Sequence, residues 1–191
     1  QDAFSNGGLG HGLVFSCVGR NIAFRKNVFD EIAGYSGIEH LPSGDDDLLM
    51  HKISKLTQYK VYFIMTPDAA VFSTPPRTIS EFIQQRLRFA SKGLLYYKWN
   101  ADISLRIALP LLYITNIIVL ISLSQFTATA ATLWLLPWII KSSGDAVITY
   151  NYLHQLKLKW RFVQFLILSL IHPFYVVILG GMGPFMKVKW K

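Results

Sequence analysis

The sequence predicts two architectures in one chain: an α/β unit over residues 1–101, then an all-α transmembrane region over residues 102–191. Three observations carry this. Residues 1–101 hold an ordinary polar mixture, whereas residues 107–186 are mostly apolar. The chain as a whole is therefore 52% hydrophobic and only 16% charged. Within the polar part, helical periodicity alternates with short runs rich in β-branched and aromatic residues. Finally, Ile107–Phe126 is twenty residues without a charge, about 30 Å as a helix and enough to cross a bilayer core.

The remaining composition narrows the class. The net charge of +8 is uneven, because residues 151–191 hold Lys157, Lys159, Arg161, Lys187, Lys189 and Lys191 and no Asp or Glu. Basic clusters beside apolar segments point to a membrane surface rather than nucleic acid. The single cysteine, Cys17, excludes an intrachain disulfide, and no CxxC or Cys/His zinc pattern is present. Nothing at the start resembles a signal peptide. The chain opens at Gln1 in a polar run, and we read it as a piece of a longer protein that begins inside a domain.

In chain order, the Gly-rich run Ser5–Gly12 lacks the preceding strand and following helix of a phosphate-binding fingerprint and reads as a loop. Leu13–Phe15 reads as a short strand. Arg25–Ala33 reads as a helix, with Val28, Phe29 and Ile32 at helical spacing and Gly34 as its stop. Leu48–Lys55 is a second helix. Lys60–Met65 is a strand, Pro67-Asp68 a turn and Ala69–Phe72 another short strand. Thr78-Ile79-Ser80-Glu81 is a capping box that opens an amphipathic helix over 78–97. Its apolar stripe is Ile79, Ile83, Leu87, Ala90 and Leu94, with Gln85, Arg88 and Lys92 roughly opposite and Phe89 at their edge.

Two stretches carry the chemistry. Gly44-Asp45-Asp46-Asp47 follows a Pro42-Ser43-Gly44 turn and sets three carboxylates in a row, at a cost in mutual repulsion. Such an arrangement suits a group that takes a proton or holds a metal. Gln85, Arg88 and Phe89 are spaced i, i+3, i+4 and share a helix face: an amide, a guanidinium fork for phosphate and a flat ring for a sugar. The alternative for Arg88 and Lys92 is a solvated helix face.

Cys17 through Lys26, Gly44-Asp45-Asp46, Pro75 through Thr78 and Gln85-Arg86-Leu87-Arg88-Phe89 together resemble the second half of a family 2, inverting, GT-A-fold glycosyltransferase. The likeness covers about residues 13–99 and is narrower for the membrane-bound branch, which includes cellulose, chitin and hyaluronan synthases and ceramide glucosyltransferase. The resemblance implies that Asp46 is the catalytic base and Asp45 the first acid of the pair. It also places Gln85, Arg88 and Phe89 on the QxxRW motif, beside the donor diphosphate and the acceptor. Phe89 stands where the family has Trp, so stacking survives and an indole N–H is lost. The family's Asp-x-Asp motif, which helps hold a divalent metal (Mg or Mn) and the nucleotide sugar, is expected upstream of Gln1. The fragment alone is therefore expected to be inactive. Asp47 reads as a helix-capping acid, His51 as structural and Cys17 as a buried small residue.

In the membrane half, the expected segments are about 105–126, 128–152 and 162–186. Lys141 and Asp145 are i, i+4 partners that either pair inside a bundle or mark the end of the second span. Residues 162–186, interrupted by His172-Pro173, read as a kinked span or a re-entrant hairpin. The basic residues before the first span and at 157–161 put the polar half on the cytoplasmic side. The resemblance adds a bacterial inner membrane setting.

The leading expectation is thus a membrane-bound hexosyltransferase moving a sugar from a nucleotide-diphosphate donor to a lipid or lipid-linked glycan. The rivals are a processive polysaccharide synthase, separated by product length, and a non-catalytic membrane anchor or transporter subunit, which predicts no dependence on Asp46 or Arg88.

Overall fold

The computed structural model describes residues 2–10, 12–39, 41, 44–99, 101–125 and 131–186. Eight α-helices are found there: α1 (Asp2–Gly10), α2 (Lys26–Glu31), α3 (Asp45–Leu56), α4 (Ile79–Ala90), α5 (Gly93–Lys98), α6 (Ile103–Ser124), α7 (Ala131–Gln155) and α8 (Phe162–Met182). The Pro42-Ser43 turn, the span ends at 126–130 and the lysines at 187, 189 and 191 lie outside the described residues.

The expected α/β unit is overturned: among the described residues there is no strand and no sheet. The expected strand Lys60–Met65 is extended, and residues 60–66 alternate between more and less exposed as a strand would. Its backbone, however, bonds to no neighbouring segment among the described residues. A strand is defined by its ladder, and three short candidates with different surroundings do not form one. Ala69 belongs to a 3₁₀ turn, Pro67–Ala69, and its carbonyl accepts from the Asn21 side chain. The Phe15 carbonyl is taken by His51.

Tertiary packing also converts the Gly-rich start from an expected loop into α1. Phe4 stacks on Phe15 at 4.5 Å, and a Cβ at Gly8 would lie 2.3 Å from the Phe15 ring. Glycine's low helix propensity, about 1 kcal/mol below alanine, yields to that close approach. Helix α2 ends in a Schellman motif: Gly34 N–H donates to Phe29 O at 2.8 Å and Ala33 N–H to Asp30 O at 3.0 Å. Ala33, at φ 55°, takes the C′ position one residue before the glycine expected there, and Gly34 is left-handed too, at φ 52°.

Thr78 caps the helix as read, with Glu81 N–H donating to Thr78 Oγ1 at 3.1 Å, while the Glu81 carboxylate accepts from Arg77 N–H at 2.8 Å, one residue before the cap. The helix it opens does not run to 97. The Ser91 hydroxyl donates back to Arg88 O at 2.8 Å, α4 stops at Ala90, and α5 restarts at Gly93. Backbone-directed serine followed by glycine is a combination that interrupts a helix.

A core of Phe15, Ile32, Ile38, Leu48, Leu49, Tyr96, Ala101 and Leu105 sits where α3 meets α5 and the start of α6. From it the apolar helices extend. Helices α6 and α8 are long and apolar enough to cross a membrane, with mean hydropathy 2.2 in each and only 17% and 11% of their most apolar windows buried. Helix α7 continues through Lys141 and Asp145, so the helix does not end at Lys141. Helix α8 continues through His172-Pro173, and no hairpin forms there. Tyr113 of α6 lies against Gly180 and Gly181 of α8 and donates to Val177 O at 3.2 Å, a small-residue approach of the kind that brings membrane helices together. Helix α4 packs along the second half of α8, with Phe82 edge-on to Tyr175 at 5.8 Å and Ala90 over Gly183.

Candidate active site

The three acids occupy the first turn of α3, where the helix dipole favours negative charge. Gly44 precedes them at φ 95°, a left-handed backbone that suits glycine. The three side chains then diverge. Asp45 is exposed.

Asp47 is 1% exposed and makes contacts to both of its oxygens. The Ser16 hydroxyl and Cys17 N–H donate to Oδ1 at 2.8 and 2.7 Å. The Lys92 ammonium and Tyr96 hydroxyl donate to Oδ2 at 3.1 and 2.8 Å. Four donors fill the four acceptor directions of a carboxylate. Asp47 is not the cap of α3; it is the buried knot joining the 16–17 segment, α3 and α5.

Asp46 is different. Its Oδ2 accepts from Gly19 N–H at 2.7 Å and its Oδ1 from Asp47 N–H at 2.9 Å. Lys92 Nζ stands 3.8 Å from Oδ1, and the side chain keeps 22% exposure. The carboxylate is aimed by backbone donors and retains open acceptor directions. Of the three acids, Asp46 alone is both oriented and reachable.

The surrounding groups support this electrostatically. Burial, then the Asp47 charge, pushes the Tyr96 phenol well above its ordinary value, so it remains a donor. Burial, and next the charge of Asp47, also pushes the Cys17 thiol up, which leaves it protonated and a poor nucleophile. Burial lowers His51 below 6.5. Its neutral ring has Nε2 3.2 Å from Phe15 O and accepts at Nδ1 from Asp102 N–H at 3.3 Å. His51 is a structural histidine, in line with its reading from the sequence.

The second motif surrounds one ring. Arg86, Arg88 and Lys92 lie 5.4, 5.6 and 5.8 Å from the Phe89 centroid. Arg86 also covers Phe82 at 5.1 Å and donates to Gln85 Oε1 at 3.3 Å. Phe89 is thus the hub of three cations rather than a bare platform. The residue that joins the two motifs is Lys92, which touches Asp46, Asp47 and the edge of the Phe89 cluster. Its spacing from Arg88 placed it on the correct face; its burial, 7% exposed, was not legible, because the helix break at Ser91 redirects it.

No three His, Cys, Asp or Glu side chains among the described residues form a group that could hold a metal ion, and the Asp47 oxygens are already filled. These residues do not by themselves fit a divalent cation. The family described as glycosyl transferase family group 2 matches residues 4–186. The chain belongs to that family. No curated protein and no solved structure matches it. Membership in glycosyl transferase family group 2 supports a glycosyl transfer function.

A cavity of about 1050 Å³ lies between residues 17–25, residues 58–64, residues 69–73 and the end of α7. Asp46 and the Gln85–Phe89 motif are not among its walls. Arg20, Arg25 and Lys60 line it, with no acid.

Proposed function

We propose that this chain carries the acceptor-activating part of an inverting transfer, with Asp46 as general base. The observation that carries the reading is the division of labour among three adjacent acids: Asp47 is saturated, and Asp46 is held by two backbone donors with acceptor directions left over. In the reaction the acceptor hydroxyl gives its proton to Asp46 as its oxygen attacks the anomeric carbon from the face opposite the leaving group. The bond to the nucleoside diphosphate breaks as the new glycosidic bond forms, and the departing diphosphate gathers negative charge. Arg88, with Arg86 beside the same ring, supplies fixed positive charge toward it. Gln85 and Asp45 serve substrate binding, and Phe89 offers an aromatic edge to the sugar. A divalent metal, held by an Asp-x-Asp motif, would serve the donor diphosphate.

The acceptor in this reading is a lipid or lipid-linked glycan and the transferred unit a hexose. Helices α6 and α8 expose apolar surface along their length, and α4 rests directly on α8, which keeps the base near a bilayer. The cavity lined by Arg20, Arg25 and Lys60 suits an anionic portion of a substrate. Residues 1–101 act as the catalytic portion, and residues 102–191 as the membrane portion with the basic 157–161 connection on the cytoplasmic side.

The test is transfer by the intact protein in membranes. Asp46→Asn is expected to lower kcat by about 10²–10⁴-fold, the usual contribution of a positioned base, with unchanged expression. Turnover equal to that of the unmodified protein refutes the assignment.

A further inference from the structure

Lys92 is a buried cation that neither motif contains. It sits between two helices, at the N-terminus of α5, with its ammonium 3.1 Å from Asp47 Oδ2 and 3.8 Å from Asp46 Oδ1. The acid loop is shaped around its stem: a Cβ at Gly44 would lie 2.9 Å from Lys92 Cδ. Asp47 is in turn fixed from three other directions, by Ser16, Cys17 N–H and Tyr96. An ammonium removed from water is costly unless its partners are held in place, and here they are held on three chain segments.

We propose that Lys92 is a positioning residue for glycosyl transfer: anchored on Asp47, its ammonium fixes the Asp46 carboxylate relative to the Arg88–Phe89 face of α4. Asp47 and Tyr96 are the anchor, Lys92 the link and Asp46 the group aimed. The inference rests on Asp46 being the base. Because Lys92 leaves α4 at the break and reaches back to the start of α3, it sets the separation of the two motifs. A displacement of about 1 Å at such a site costs on the order of 100-fold in rate.

The experiment uses the intact protein in membranes, with transfer kinetics and thermal unfolding measured on Lys92→Met, Asp47→Asn, the double variant and Asp46→Asn. Lys92→Met removes the charge and keeps most of the stem. Its kcat is expected to fall about 100-fold while KM for the nucleotide sugar changes by less than about threefold. Because Lys92→Met leaves Asp47 buried and unpaired, it also lowers the unfolding midpoint. The double variant Asp47→Asn/Lys92→Met has no uncompensated charge, so its midpoint is expected to return toward the original while kcat stays at least about tenfold down. A double variant that recovers full kcat overturns the proposal, since the pair would then be structural only. Full kcat in Lys92→Met with Asp46→Asn dead overturns the Lys92 role and leaves the base intact. Activity in Asp46→Asn overturns both.

Discussion

At position 47 every oxygen direction is taken; one residue earlier, two are open. Adjacent aspartates therefore predict opposite phenotypes. Asp47→Ala strands the Lys92 ammonium in a buried site and is expected to destabilise the fold by about 3–5 kcal/mol, read by denaturant or thermal unfolding. Asp46→Ala removes a partly exposed group and is expected to cost far less stability. His51 gives a pH prediction whose sign follows from its lowered value. Below 6.5 the unfolded chain binds a proton that the folded ring refuses, so unfolding gains protons and stability falls as pH drops through that window. Above 6.5 both states are neutral and the contribution is flat. Replacing His51 by Gln is expected to remove this part of the acid slope below 6.5, measured as unfolding free energy against pH. The candidate residues were legible at this scale because their types and spacing are chemical facts about the chain. Lys92, Tyr96 and Ser16 were not, because burial and a hydrogen bond across 31 or 49 residues leave no local pattern.

Among the elements, local signals held where they are self-contained and failed where packing decides. The Thr78 cap forms because all its atoms lie within one turn. The stop of α2 forms too, with Ala33 and Gly34 both in the left-handed region. The single helix expected over 78–97 breaks at Ser91, and the Gly-rich start becomes α1 because Phe15 lies against it. Helix α7 resolves the choice left open at Lys141: it runs on, and Lys141 meets Asp145 on the same helix and His172 of α8. His172 then reaches Asn116 of α6 at 3.3 Å, so one polar chain ties three apolar helices together near their middles. Lys141→Met is expected to lower the unfolding midpoint in detergent by leaving Asp145 without its cation, and Lys141→Met/Asp145→Asn to restore it, with the heat-induced transition as the readout. Gly183, in the 3₁₀ turn that follows α8, packs against Ala90 at the end of α4. A Cβ there meets Ala90 Cβ at 2.3 Å, so Gly183→Val is expected to push α4 off α8 and reduce transfer by about tenfold or more, as a small misplacement does.

For the whole molecule, composition reads as a polar and an apolar half, and the long helices α6, α7 and α8 account for most of the described residues after 102. The α/β expectation for the polar half failed for a physical reason. The β-branched and aromatic run at 61–65 favours an extended chain, and the structure retains that with alternating exposure; it does not specify a neighbour, and none of the described segments pairs with it. Outward-facing Tyr62 and Ile64 remain 77% and 67% exposed as a result. The surfaces of α6 and α8 are apolar and mostly unburied, and the protein is expected to stay with the membrane pellet after alkaline carbonate extraction; release into the supernatant contradicts the membrane reading. The central claim concerns one carboxylate, and it is tested most directly by comparing saturated transfer rates of Asp45→Asn, Asp46→Asn and Asp47→Asn in the intact, membrane-embedded protein, each normalised to folded protein. The predicted result is a loss of about 100-fold or more for Asp46→Asn, clearly larger than for either neighbour. Equal losses at all three positions, or a folded Asp46→Asn protein that turns over normally, contradict it.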